Sequence, residues 1–150
     1  MADPIYEVTF KGDDWYGEHL LGREYTACTF REVDLSESVT QGVVFTDCVF
    51  GNVSFNASRH TDSAFTNCTF RRCNFFDTEF TGCKLTGSKF DQPVSLRPMR
   101  VLGGDWSFVT LAGADLRGSD LSALDPVVSD ARILPEQAIT VAMAFGFDVR

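Results

Sequence analysis

The 150-residue sequence predicts a solenoid, a chain that winds in coils and turns a corner every five residues. Ten of the fourteen phenylalanines lie at multiples of five between residues 10 and 90. That period matches neither the roughly 3.6 residues of a helix nor the roughly two of a strand. Small residues recur two positions earlier, and all five cysteines share this spacing. We therefore expect each five-residue side to send one large and one small side chain inward.

Coils of 20 residues would stack the large inward residues in four columns, which we call the first to fourth faces. The first holds Ile5, Tyr25, Phe45, Phe65 and Leu85; the second Phe10, Phe30, Phe50, Phe70 and Phe90; the third Trp15, Leu35, Phe55 and Phe75; the fourth Leu20, Thr40, His60 and Phe80. Strands stack at about 4.8 Å, so the rings of a column can pack offset.

The spacing slips once, by one residue. After Phe90 the inward positions become Leu96, Val101, Trp106, Leu111, Leu116 and Leu121. The added residue falls within 91–95, and Pro93 suits a bulge or a corner there because proline cannot donate to a β-ladder. We expect local bulging, and a kink that docks a partner is the alternative.

Five segments resemble the pentapeptide-repeat motif A(D/N)LXX. They are residues 28–32, 33–37, 68–72, 114–118 and 119–123. The resemblance covers about residues 5–125 and implies an all-β, right-handed quadrilateral parallel β-helix with four pentapeptides per coil. We expect this solenoid over residues 1–128 and a short helical cap, which also dimerises, over residues 129–150.

A narrower resemblance suggests a function. Residues 63–70, 101–105, 115–118 and 136–138, with Phe145-Gly146 near the end, are similar to the fluoroquinolone-resistance branch of this family. Members of that branch mimic DNA and bind DNA gyrase. The resemblance implies a non-enzymatic binding protein that modulates or inhibits gyrase and gives quinolone resistance. The alternative is a general protein–protein interaction scaffold with an unidentified partner.

Charge is uneven on this chain of net charge −8. The second face carries five bases and two acids, whereas the other three faces are acidic. Direct nucleic-acid binding is not expected, because phosphate binding needs a basic footprint. A basic protein surface is a better partner, and the first candidates for contact are Asp105, Asp115, Asp120 and Asp125. The plain alternative is that acidic surface serves solubility.

Two stacked segments of the fourth face fit the repeat poorly. They are residues 38–42 and 58–62, and the second places His60 at an inward position. We expect a locally looped corner there, with His60 as a core or corner residue. The alternative is a partner-contact patch formed by Gln41, Arg59 and Asp62.

The C-terminal segment has the signals of a helix that ends the solenoid. Pro135 suits a first helical position and Gly146 a stop. Residues 138–145 are apolar on nearly every side, although a cap needs one apolar stripe. The resemblance implies a homodimer through Ile139, Ala142, Met143, Phe145 and Phe147. A monomer with an apolar cap is the alternative.

The sequence offers little for catalysis. We find no nucleophile–base pair, phosphate-binding loop or metal-ligand spacing, and therefore expect no enzyme, cofactor or metal. The cysteine spacings match no zinc motif, so we expect five free, buried thiols. Neither a signal peptide nor a membrane span is visible, which favours a cytoplasmic protein without membrane contact.

Overall fold

The chain forms an all-β parallel solenoid. The computed structural model describes residues 3–91, 94–95, 99–110, 114–115, 135 and 138–139. Successive strands on each face pair in parallel, and paired residues lie one coil apart, as Phe30 does with Phe50 and Phe50 with Phe70. A coil of 20 residues therefore has four sides of five residues, as the phenylalanine spacing predicts.

Three faces are sheets of short strands. The first face contains β1 (Ile5–Tyr6), β4 (Glu24–Thr26), β7 (Val44–Thr46) and β10 (Ala64–Thr66). The second contains β2 (Thr9–Lys11), β5 (Thr29–Arg31), β8 (Val49–Gly51), β11 (Thr69–Arg71) and β13 (Lys89–Asp91). The fourth contains β3 (His19–Leu21), β6 (Val39–Gln41), β9 (Arg59–Thr61), β12 (Thr78–Thr81) and β15 (Met99–Leu102).

The third face is built mainly from turns. It pairs through single residues, Asp14 with Asp34, Asp34 with Ser54, and Ser54 with Asn74. Further along, β14 (Val94–Ser95) pairs with β16 (Ala114–Asp115). Backbone hydrogen bonds still join the coils on this face, for example from the Leu35 amide to the Ser54 carbonyl at 2.8 Å. The coils of the third face are therefore joined to one another along the solenoid, as the coils of the other faces are.

The core is a set of stacked aromatic columns. On the second face, consecutive ring centroids are 4.8 to 5.0 Å apart and nearly parallel, from Phe10 through Phe90. Rings of neighbouring columns meet edge to face, as Phe70 and Phe75 do at 5.4 Å and 72°. Both geometries are favourable for aromatic pairs. The predicted inward positions are confirmed among the described residues, although Ile5, Phe10 and Trp15 in the first coil are only partly buried.

The register locates the one-residue slip. Lys89 pairs with Thr110, 21 residues later, whereas Val94 pairs with Ala114, 20 residues later. Asp91 still pairs with Arg71, so the extra residue enters between Asp91 and Val94. This confirms the slip within residues 91–95; the form of the backbone at Pro93 lies outside the described residues.

The predicted cap falls almost wholly outside the described residues. Three of its residues are described, Pro135, Ala138 and Ile139, and all three are exposed. The helix, and the boundary between the two predicted segments near residue 128, remain predictions.

Two adjacent phenylalanines test the inward assignment. Phe75 is 0% exposed and stacks on Phe55 at 4.7 Å, whereas Phe76 is 54% exposed. Phe75→Ala should lower the free energy of unfolding by about 3–5 kcal/mol, because it leaves a cavity in the column. Phe76→Ala should change it by less than about 0.5 kcal/mol. Urea unfolding of both variants measures this, and equal losses would contradict the columnar core.

Candidate functional site

The third face is the most uniformly acidic surface in the described structure. Across residues 13–77 it carries Asp13, Asp14, Asp34, Glu37 and Asp77, and no base belongs to its described part. Asp14 and Asp34 occupy paired positions in successive coils. Like charges directly opposite each other on neighbouring strands are unfavourable. The face therefore maintains an electrostatic repulsion that packing alone does not explain.

The turns of the third face need an acceptor but not a charge. The Asp34 carboxylate accepts a hydrogen bond from the Ser36 amide at 2.9 Å, and Asp14 caps its own turn in the same way. Asn74, at the same register, caps its turn through a neutral amide oxygen at 2.9 Å from the Phe76 amide. Asparagine thus performs the structural role of aspartate here, so these turns do not require the negative charge.

The structure describes two of the four predicted contact aspartates, Asp105 and Asp115, and their registers place them on different faces. Asp105 lies on the first face, opposite Lys84 in register, and accepts a hydrogen bond from the Ser107 amide at 2.9 Å. The hydrogen bonds from Ser107 lower the pKa of Asp105. The register places Asp115 on the third face, across the solenoid from Asp105. Asp120 and Asp125 lie outside the described residues.

The expected looped corner at residues 38–42 and 58–62 is wrong. Both segments continue the solenoid, as β6 and β9 of the fourth face. Arg59 is held by backbone carbonyls, since its guanidinium donates to the Asp77 carbonyl at 2.8 Å. Gln41 is exposed and Asp62 lies at the corner that follows β9. The contact patch proposed for these three residues stays a prediction.

The solenoid stays regular at His60 because the buried polar groups satisfy one another. His60 is 2% exposed, and its Nδ1 and Nε2 lie 2.8 Å from the Thr40 hydroxyl and 2.9 Å from the Ser58 hydroxyl. Ser58 already donates to the Phe55 carbonyl at 2.6 Å, so its oxygen accepts from Nε2. The ring also stacks on Phe80 at 5.0 Å. A neutral histidine therefore replaces a phenylalanine in this column.

The comparisons with known proteins agree with this architecture. Residues 61–92 match the family of pentapeptide repeats, in eight copies. The chain is a pentapeptide-repeat protein. The pentapeptide repeat protein MfpA of Mycobacterium tuberculosis is 38% identical over 99 residues, which cover 66% of this chain and 54% of MfpA. The match thus spans about half of that relative's length.

A comparison with a solved structure supports the fold alone. Full-length QnrB1, a plasmid-mediated fluoroquinolone resistance protein, superposes with a TM-score of 0.50 at 14% identity. The superposition covers 97% of this chain and 100% of that chain. At that identity, the likeness shows a common fold and nothing about the partner.

The pentapeptide repeat uses its small inward residue as a hydrogen-bond donor. The thiol of Cys73 donates to the Phe50 carbonyl at 3.2 Å, and the Thr78 hydroxyl to the Phe55 carbonyl at 2.7 Å. The five-residue spacing predicted a small inward residue at this position but not the hydrogen bond that it donates. The signal was present, because cysteine, serine and threonine fill the position more often than alanine or glycine do.

The cysteines of this pentapeptide-repeat protein are structural. All five are free and buried. Burial raises the pKa of Cys73 to about 12 and that of Cys83 to about 11, so both remain unreactive thiols. The described residues contain no group of three or more possible metal ligands. Within the same part of the chain, no helix is long and apolar enough to cross a membrane.

The buried histidine predicts a sensitivity to acid. Burial lowers the pKa of His60 to about 3, from 6.5. Below pH 6.5 the unfolded chain therefore binds a proton that the folded chain rejects, and stability falls as the pH falls. Between pH 7 and pH 5 this should cost about 2 kcal/mol.

The measurement is urea unfolding at both pH values. His60→Phe should lose much of this pH dependence while remaining folded, because Thr40 and Ser58 keep bonds to Ser63 and to the Phe55 carbonyl. His19→Phe, at an exposed position, is the control and should retain the parent's slope. Identical slopes in all three proteins would refute the assignment.

Proposed function

We propose that this pentapeptide-repeat protein is a non-enzymatic ligand of DNA gyrase. It imitates the charge of duplex DNA, modulates or inhibits the enzyme, and thereby gives quinolone resistance. The observation that carries the proposal is the third face, whose carboxylates exceed what the turns require. The relationship to MfpA supports it.

The spacing of the acids suits this role. Five carboxylates lie on four coils of the third face, and coils stack at about 4.8 Å. This gives about one charge per 4 Å, close to the ~3.4 Å between phosphates along one DNA strand. Averaged over the four coils, the charge density of this face is thus close to that of one DNA strand, with two acids in each of the first two coils and none in residues 53–57. Asp115 would extend this acidic face towards the C-terminus. Asp105, on the first face, and Asp120 and Asp125 remain further candidate contacts.

A supercoiling assay with purified gyrase tests the proposal. The parent protein should inhibit or protect the enzyme at micromolar concentration, and added salt should weaken the effect. Replacing Asp14 and Asp34 together with asparagine removes two charges and keeps both turn caps. The double variant should be about 3- to 30-fold weaker, because each surface charge contributes up to about 1 kcal/mol.

The matched control is Asn74→Asp, which adds a carboxylate at the same register and keeps the cap. It should act at least as strongly as the parent. If the Asp14/Asp34 variant acts like the parent, the third face is not the contact surface. No effect of the parent at tens of micromolar would instead favour a scaffold for another partner.

We also propose that the chain dimerises through its C-terminal segment, with Ile139, Ala142, Met143, Phe145 and Phe147 at the interface. Ile139 supports this, since a large apolar side chain is 60% exposed in the single chain. Sedimentation should give twice the 16.6 kDa chain mass at micromolar concentration. Ile139→Lys should yield monomer, whereas Leu21→Lys, at a residue 63% exposed, should not. A parent that sediments as a monomer would exclude the dimer.

A further inference from the structure

Gly51 is a glycine that the backbone does not require. It ends β8 in the sheet of the second face, and its φ is not in the left-handed region. A Cβ atom there would meet no other atom within 4 Å. Glycine in a strand costs stability and often marks a place where a ligand approaches closely. The space around Gly51 would therefore admit a Cβ atom, yet the residue at this position is glycine.

The glycine forms the floor of a depression between two arginines. Arg31 and Arg71 are its register partners in the preceding and following coils. The depression has a volume of about 270 Å³, and its lining includes Thr29, Glu32, Asn52 and Arg72. Two rungs at about 4.8 Å separate the backbones of the two arginines, so both guanidinium groups can reach one group lying over Gly51.

The depression carries more positive charge than its surroundings neutralise. Arg71 pairs with Asp91 at 3.8 Å, which is the one ion pair among the described residues. Arg31 and Arg72 are exposed and have no such partner in the described part of the chain. Three guanidiniums against the carboxylates of Glu32 and Asp91 leave a local charge near +1. That excess lies on a protein of net charge −8.

We propose that this depression binds a small anion of the diphosphate class, held over Gly51 between Arg31 and Arg71, with Arg72 at its edge. Guanidinium groups bind phosphate oxygens in pairs of parallel hydrogen bonds. A diphosphate offers oxygens to both Arg31 and Arg71 across Gly51, whereas a single carboxylate would pair with only one guanidinium. The site lies on the second face, so its occupancy can be measured without gyrase and independently of the acidic third face.

Calorimetric titration of the full chain with inorganic pyrophosphate at low ionic strength tests this. We expect saturable one-to-one binding with a Kd below roughly 1 mM, weakened by added chloride. Arg71→Gln should weaken binding at least about tenfold, since a charge-assisted contact is lost. Asp91→Asn breaks the same ion pair but keeps the guanidinium, and it should bind more tightly. Lys89→Gln removes a charge from the same face outside the depression and should change the Kd less than about threefold.

The Gly51→Thr variant distinguishes a glycine that is needed for ligand binding from one that is needed for the fold. The threonine side chain occupies the position over Gly51 where the anion would lie, so pyrophosphate binding should be lost while the melting temperature stays equal or rises. A fall in melting temperature would show that the glycine serves the fold. The proposal is overturned if the parent shows no saturable binding, or if Arg71→Gln and Lys89→Gln weaken it equally.

Discussion

The structure depends on a match between two distances. Backbone hydrogen bonds hold neighbouring parallel strands about 4.8 Å apart. The stacked rings of the core have centroids 4.7 to 5.1 Å apart, as in Phe55–Phe75 and Tyr25–Phe45. The spacing that satisfies the ladder is therefore also the spacing at which aromatic rings pack in offset stacks. Because both requirements act on every coil, the parallel register is fixed throughout the aromatic part of the chain.

Because the backbone ladder and the stacked rings fix the fold, the surface residues are free to vary. In each five-residue side, one large and one small residue point inward, and a third often caps a turn, as Asp34 and Asn74 do. The charge of the side chains at the remaining positions can therefore differ from face to face. Two adjacent faces use this freedom in opposite ways, since the second is net basic and the third wholly acidic in its described part. Surface chemistry can thus change without a change in the core.

The fold could be predicted because the sequence repeats every five residues. The surface features could not, because they depend on hydrogen bonds that the sequence does not display. Phenylalanine spacing predicted the columns and the slip near Pro93. It failed at residues 38–42 and 58–62, where Thr40 and His60 suggested a loop, because bonds between side chains 20 residues apart restore the coil. The phenylalanine spacing also gave no indication of the site proposed at Gly51, which depends on the two arginines that the register brings to either side.

The third face also has a definite unit of length. Each coil contacts its neighbours alone, and its upper and lower edges present equivalent ladders. Duplicating one internal coil would therefore extend the rod by a single rung, about 4.8 Å, and leave the order of the four sides intact. The length of the third face that a partner contacts can therefore increase or decrease in steps of one 20-residue coil.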